Sequence, residues 1–359
     1  MAGSSSAAAS LPSEIQAQVL TAFNTPYQLT TLPLPVPVDH DLLLKVGAAS
    51  YCHTDLVYQS GVMGKILPLI PCHEFAGTIV SAGPLAFSTV PGLSIGTRVG
   101  VPGRAYRPCG QCRECKNNGG DPEGYGNTCP KAGNLGITRD GGFAQYALVD
   151  ARQVAALPDA ISEVEAAPLM CAGLTIYAAL KRCALPKAGR VGIIGAGGGL
   201  GHLGLQFGVK MGLDVVGIDA SDEALKLATE LDTGASIFDA RTTKPEEVLK
   251  QISGQTGEGL QEGETGLDAV IILPENQSGF DYGMKLLRNH GICVVLSFPK
   301  SGFHISAEDL VFRDIQVVGS LVGKNWVLKE MLQLAAHKNH DNSAMVQMAF
   351  QITFGTRVC

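Results

Sequence analysis

Between Gln16 and Val149 the chain alternates short apolar runs with proline and glycine. Runs at Ala17 to Leu20, Asp41 to Ala48, Gly77 to Ala82, Thr97 to Val101 and Phe143 to Val149 predict short strands. Many short strands with glycine turns between them argue for an all-β, barrel-like unit. Beyond Cys171 the rhythm changes. Apolar runs at Val191 to Ile194, Asp214 to Ile218, Ala269 to Leu273, Ile292 to Ser297 and Ile315 to Gly319 are bounded by glycines and separated by helix-length segments such as Ser221 to Glu230. Continuous apolar strands alternating with helices predict a buried parallel sheet covered on both faces, a doubly wound domain.

The turn after the first of these strands reads Gly195-Ala196-Gly197-Gly198-Gly199-Leu200-Gly201 and opens a helix predicted to run through Met211. A strand, a glycine turn and a helix N-terminus make an anion site, because unpaired N–H groups and the helix dipole face the same point. Alone the motif is weak. Asp219 ends the next strand 18 residues past Gly201, close to the offset of about 20 at which a carboxylate meets ribose hydroxyls of a dinucleotide. Counting from Gly195 puts Leu200 where the last glycine usually stands. Ala220, Ser221, Asp222 and Glu223 follow Asp219 with no arginine to take a 2′-phosphate, which favours NAD over NADP.

With 359 residues, 45% of them hydrophobic, the chain is long enough for two cores. A net charge of −6 without a basic run speaks against a nucleic-acid partner. Met1 to Ser10 is rich in Ala and Ser and lacks the basic and apolar regions of a signal peptide. No uninterrupted apolar run reaches the roughly 18 residues of a membrane span. The expected location is the cytosol, with residues 1 to about 13 as a disordered tail.

The ten cysteines would suggest disulfides in a secreted chain, but four crowd between Cys109 and Cys129 at metal-like spacing. Cys109-x-x-Cys112-x-x-Cys115 with Cys129 offers four thiolates, the pattern of a closed structural zinc site. A second cluster lies in Cys52-His53-Thr54-Asp55 and Pro71-Cys72-His73-Glu74-Phe75-Ala76-Gly77. Thiolate plus imidazole suits zinc, and a catalytic zinc needs three protein ligands with one position open. Cys171, in Met170-Cys171-Ala172-Gly173-Leu174-Thr175, is the best candidate for the third.

These blocks resemble the zinc-containing medium-chain alcohol dehydrogenases, particularly the fungal and bacterial ethanol-active branch. The resemblance runs from about residue 15 to 336. It implies a GroES-like catalytic domain over 1–171 together with 323–359 and a Rossmann NAD-binding domain over 172–322. It implies Cys52, His73 and Cys171 as catalytic zinc ligands, and Asp55 and Glu74 as carboxylates that orient a ligand histidine and lie behind the metal. His53 matches a position that contacts the coenzyme pyrophosphate. Gly198, Gly199 and Gly201 match the close-approach glycines. Thr54 matches the Ser or Thr that takes the proton of the substrate hydroxyl.

The sequence departs from that pattern in three places. Thirteen residues separate Cys115 from Cys129, where the family has a short gap. Val57 stands where ethanol-active relatives carry a proton-relaying histidine. Lys338 to Cys359 shares little with the family's C-terminal return. His40, His202, His290, His304, His337 and His340 show no ligand pairing, and Cys72, Cys183, Cys293 and Cys359 read as ordinary thiols. The expected protein is a homo-oligomer, dimer or tetramer, with two zinc ions per chain, oxidising or forming a small alcohol with NAD. The absent relay histidine and the altered end motivate an alternative, reduction of an aldehyde or lactol intermediate. A metal- and nucleotide-binding protein without turnover is the non-enzymatic alternative.

Overall fold

A computed structural model describes residues 11–116, 126–253 and 265–337. Most of the N-terminal tail, most of the insertion before Cys129, and the end beyond His337, with His340 and Cys359, lie outside the described residues. The described chain divides into two compact units, 11–157 with 166–168, and 158–165 with 169–337. The segment 323–337, which the resemblance would return to the first domain, is grouped with the second. Its helix Asn325–Ala336 packs on the helix Leu174–Arg182, with Lys181 Nζ bonded to Glu330 at 2.6 Å.

The first unit contains an antiparallel ribbon of β1 (Glu14–Val19) and β2 (Gln28–Pro33). Its main sheet is formed by β3 (Asp41–Ala49), β4 (Phe75–Ala82), β5 (Arg98–Val101), β6 (Tyr146–Asp150) and β7 (Ala155–Ala156) in the order β6-β3-β4-β5-β7. Leu42, Leu44, Phe75, Ile79, Val99 and Val149 close the core. The sequence pattern missed β2, whose Gln28, Thr30 and Thr31 leave it no continuous apolar face. The strand expected from Phe143 starts at Tyr146, because the Phe143 carbonyl accepts from Gln18 N–H at 2.8 Å and belongs to the ribbon.

In the second unit β8 (Arg190–Ile194), β9 (Asp214–Asp219), β10 (Ser236–Asp239), β11 (Leu267–Ile272), β12 (Leu287–Val295) and β13 (Gln316–Gly319) form one parallel sheet. Their order is β10-β9-β8-β11-β12-β13. The order reverses between β8 and β11, the switch point at which such sheets take ligands beyond their carboxyl ends. Val191, Ile193, Val270, Ile271 and Val294 are fully buried, which is why these strands read as unbroken apolar runs. β10 escaped notice because it is a half-buried edge strand of four residues.

The helix Glu163–Pro168 continues through a π-helical turn, Leu169–Gly173, into Leu174–Arg182. Pro168 has no N–H and crowds the preceding turn, a recognised cause of such widening. By length and composition this run could cross a membrane, but 56% of its apolar window is buried within the protein. Its apolarity is that of a core helix.

A buried ionic strap anchors the chain leading to the four-cysteine segment. Asp41, fully buried, accepts from Tyr106 Oη (3.1 Å), Arg107 Nε (3.0 Å) and Val38 N–H (3.1 Å), while Arg107 N–H donates to Asp150 at 3.0 Å. Asp41→Ala would strand a hydroxyl and a guanidinium. Urea unfolding should show a loss of about 2–3 kcal/mol, below the cost of breaking a fully buried pair because Arg107 is half exposed.

Candidate active site

The register of the main sheet creates the site. Ala49 pairs with Phe75 at the end of β3 and β4, so residues 50–52 and 72–74 leave the sheet side by side. Cys52 is the N-cap of the helix His53–Gln59, with extended backbone (φ −102°, ψ 157°), and Asp55 completes a capping box. Asp55 does more than cap. Its Oδ2 accepts from Cys52 N–H at 2.9 Å, its Oδ1 accepts from Cys72 N–H at 3.1 Å, and His73 Nδ1 lies 3.7 Å from Oδ1. One carboxylate, 1% exposed, thus ties both loops together.

Cys72 is more than an ordinary thiol in its backbone. It is fully buried with φ +78°, in the left-handed region that L residues avoid. Close glycines hold this turn. A Cβ on Gly141 would sit 1.9 Å from the Cys72 carbonyl oxygen, and one on Gly103 would sit 2.5 Å from that of His73. Glu74, 3% exposed, takes a short hydrogen bond from Ser50 Oγ, and its carbonyl accepts from Ser50 N–H at 3.1 Å. Neither the strain at Cys72 nor the role of Ser50 shows in the sequence, since both depend on strand register.

Cys171 lies in the π-helical turn Leu169–Gly173. The ligand atoms of Cys52, His73, Glu74 and Cys171 all lie within 4.8 Å of one another. Two sulfurs, an imidazole and a carboxylate at that spacing suit a zinc ion. Burial, reinforced by Cys52, pushes the Glu74 carboxyl well above its usual range. Burial opposes charge on His73, but the nearby Asp55 carboxylate and Cys52 sulfur outweigh it and raise the imidazole. His53 is exposed, and Thr54 and Val57 are half-buried, all on the short helix that Cys52 caps.

The second sulfur cluster also forms. The ligand atoms of Cys109, Cys112, Cys115 and Cys129 lie within 4.8 Å of one another, with Cys129 Sγ 3.7 Å from Cys109 and 3.9 Å from Cys112. The chain returns onto the helix Arg113–Lys116: a Cβ on Gly126 would meet the Glu114 carbonyl oxygen at 2.4 Å, and Thr128 Oγ1 donates to Glu114 at 2.6 Å. That landing places Cys129 despite the long insertion. Backbone N–H groups of Gln111 and Cys112 pull Cys109 down to about 6. Cys112 is pushed up to about 11: the backbone of Cys115 lowers it, but burial and neighbouring thiols prevail. Four sulfurs this close repel one another as thiolates and favour a cation among them.

In the glycine turn Gly195 takes φ +88° and ends β8. A Cβ on Gly201 would lie 2.0 Å from the Gly195 carbonyl oxygen, and one on Gly197 would lie 2.0 Å from that of Ala224. Gly201 and Gly197 are therefore packing positions. Gly199 would meet nothing within 4 Å, and Gly198 only the Gly195 oxygen at 3.4 Å, so these two face open space. Leu200 is the N-cap of Gly201–Lys210. Asp219 accepts from Gly197 N–H (2.9 Å) and Ala220 N–H (2.7 Å), which fixes its carboxylate beside the turn. The turn, the helix start and this carboxylate fit a dinucleotide.

Comparison with known proteins agrees with both halves. Residues 38–159 match the family described as Alcohol dehydrogenase GroES-like domain, and residues 199–337 match Zinc-binding dehydrogenase. An alcohol dehydrogenase of Geobacillus stearothermophilus is 34% identical over 90% of this chain and 89% of its own. Alcohol dehydrogenase 1 of Emericella nidulans is 32% identical over 88% and 85%. Acetophenone reductase from Geotrichum candidum, solved with NAD, has a TM-score of 0.72 and 26% identity, covering 91% of this chain and 88% of that one. A zinc-binding dehydrogenase structure from Sinorhizobium meliloti, bound to NADP, has a TM-score of 0.74 and 26% identity, covering 90% and 89%. The first unit is GroES-like, the second is Rossmann-like, and the protein is an oxidoreductase acting on small molecules. With whole-length relatives above 30% identity and both domains matched, the chain belongs to the zinc-containing medium-chain alcohol dehydrogenase family.

Proposed function

We propose that this protein interconverts a primary or secondary alcohol and its aldehyde or ketone with NAD(H), using one catalytic and one structural zinc per chain. The observation that carries this reading is the meeting of Cys52, His73, Glu74 and Cys171 around one point, beside the helix that bears Thr54. Cys52, His73 and Cys171 would hold the catalytic ion, and Cys109, Cys112, Cys115 and Cys129 the structural one. When bound, zinc supplies Lewis-acid stabilisation of charge on the substrate oxygen, and the nicotinamide gives or takes the hydride.

The chain's own residues orient and move protons. Thr54 Oγ1 accepts the substrate's hydroxyl proton. Val57 has neither donor nor acceptor, so the proton leaves Thr54 by another route. Asp55 keeps the amides of Cys52 and Cys72, and with them both ligand loops, in place. Glu74 stands behind the ligands under the control of Ser50. His53, Gly198 and Gly199 are assigned to the coenzyme phosphates.

Neighbours of equal likeness carry NAD and NADP, so likeness alone does not choose the coenzyme. Asp219 favours ribose hydroxyls and repels a 2′-phosphate. Arg241, just beyond β10, is engaged by Asp239 (2.8 Å) and Asp222 (2.6 Å) and is not offered to a phosphate. A homo-oligomer accords with the exposed Phe298, Val311 and Phe312 near the edge strand β13. A reducing, cytosolic setting accords with the free thiols of the nine cysteines among the described residues.

Metal analysis tests the two-zinc scheme: the intact protein should hold two zinc ions per chain, and Cys112→Ser and Cys171→Ser should each lose one. Retention of both ions by Cys112→Ser would refute the structural site. Asp55→Asn should weaken the more labile zinc by about 10–100-fold in a chelator competition. Wild type should reduce substrate faster with NADH than with NADPH at equal low concentration, and Asp219→Gly should narrow that gap. Thr54→Ala should slow alcohol oxidation by about 10²–10⁴-fold. Val57→His should speed oxidation most at low pH; an unchanged pH–rate profile would mean proton release does not limit the rate.

A further inference from the structure

In the helix Leu174–Arg182, residues Leu174, Tyr177, Ala178 and Lys181 stand at the spacing of one helix face. The last segment of the described chain covers that face. A Cβ on Gly323 would sit 2.4 Å from Leu174 Cδ1 and 3.3 Å from Ala178 Cβ, so the backbone there lies directly on the helix. Glu330, in the helix Asn325–Ala336, accepts from Tyr177 Oη at 2.9 Å and from Lys181 Nζ at 2.6 and 2.8 Å. Lys181 Nζ also stands 4.9 Å over the ring of Trp326. A further contact ties the same helix to the sheet, since a Cβ on Gly204 would meet Ile176 and Ile193 of β8, both at 2.8 Å. The helix after Cys171 is thus clamped along its length.

The clamp reaches the π-helical turn itself. A Cβ on Gly173 would lie 2.8 Å from Leu169 Cδ2 and 3.2 Å from Met331 Sδ, so these two side chains fill the space beside the turn. Met331 is fully buried, as are Leu174 and Leu328. In a regular α-helix Cys171, three residues before Leu174 and seven before Ala178, would fall on the covered face. A π turn winds wider, with i→i+5 bonds, and rotates the residues before it relative to those after. Cys171 is half exposed, and its sulfur lies within 4.8 Å of the ligand atoms of Cys52 and His73. Such turns are rare, and one persists where its surroundings hold it.

We propose that Met331 and Glu330 are positioning residues for Cys171, on the metal reading above in which Cys171 is a ligand. Met331 packs against the π turn at Gly173, and Glu330 locks the register of the two helices. Together they keep the turn from relaxing to α, which would rotate the Cys171 sulfur toward the covered face and away from Cys52 and His73. A ligand fixed by packing meets its ion at a set geometry, whereas a ligand on a loose support binds weakly. The coupling is reciprocal: an ion that fixes Cys171 also steadies the helix Asn325–Ala336.

In wild type, amide hydrogen exchange is followed by mass spectrometry with the more labile metal site emptied by a chelator and then reloaded with zinc. Reloading should slow exchange in residues 325–336 and leave the helix Asp222–Glu230, which lies outside these contacts, unchanged. No slowing at 325–336, or equal slowing in both, overturns the inference even if every variant fails to fold. In chelator competition Met331→Ala should hold the labile zinc about tenfold more weakly, with the ion of the four-cysteine cluster unaffected. Met331→Leu, close to methionine in volume, should recover most of the loss. Glu330→Gln, which loses the ion pair with Lys181 but keeps an acceptor for Tyr177, should fall between Met331→Ala and wild type. With cobalt exchanged into the labile site, the sulfur-to-cobalt charge-transfer band should weaken in Met331→Ala and return in Met331→Leu. A purely structural role would lower the unfolding midpoint and leave zinc affinity and the cobalt band of the folded protein as in wild type; that result in either variant overturns the assignment of its residue. If Cys171→Ser keeps both ions, the metal reading itself falls.

Discussion

The buried carboxylate of Asp55 is the contact on which the geometry of the candidate metal centre depends. It accepts from the amides of Cys52 and Cys72 and lies beside His73, so residues from two separate loops are set by one group. A carboxylate in such a place is costly unless its oxygens are satisfied. The two N–H donors satisfy them, and in return the loops lose the freedom to drift apart. The strained turn at Cys72 is held by the same network and by glycines that leave no room for a side chain.

The two sulfur clusters are held by different means. Around Cys52, His73 and Cys171 the constraint comes from strand register, a capping box and a π-helical turn. Around Cys109, Cys112, Cys115 and Cys129 it comes from local amides aimed at sulfur and from one glycine landing on a helix. The first arrangement leaves Cys52 and Cys171 half accessible, as the open position of the proposed catalytic zinc would require. The second gathers sulfurs alone, as a closed site does.

The glycine turn after β8 shows a division of labour that a motif alone hides. Gly195 makes the bend, Gly197 and Gly201 admit neighbouring backbone, and Gly198 and Gly199 face outward. Asp219 serves as both a candidate ribose partner and a clasp on the turn through Gly197 N–H.

Much of this was legible in the sequence because it rests on local chemistry. Alternating short runs and then continuous apolar runs reported two kinds of sheet, since a strand's composition follows from how many of its faces are buried. Cysteine spacing reported the four-sulfur cluster, because spacing within one short segment limits what can converge. The half-exposed strands β2 and β10 were not legible, because weak burial leaves little hydrophobic signal. The sequence named Cys52, His73 and Cys171 from motif and resemblance, but that their ligand atoms lie within 4.8 Å was decided by the tertiary structure. So were the left-handed turn at Cys72, the hold of Ser50 on Glu74, and the hold of Glu330 on Tyr177 and Lys181. Each depends on what sits across a gap in the chain, and a linear pattern carries no record of a neighbour brought in by folding.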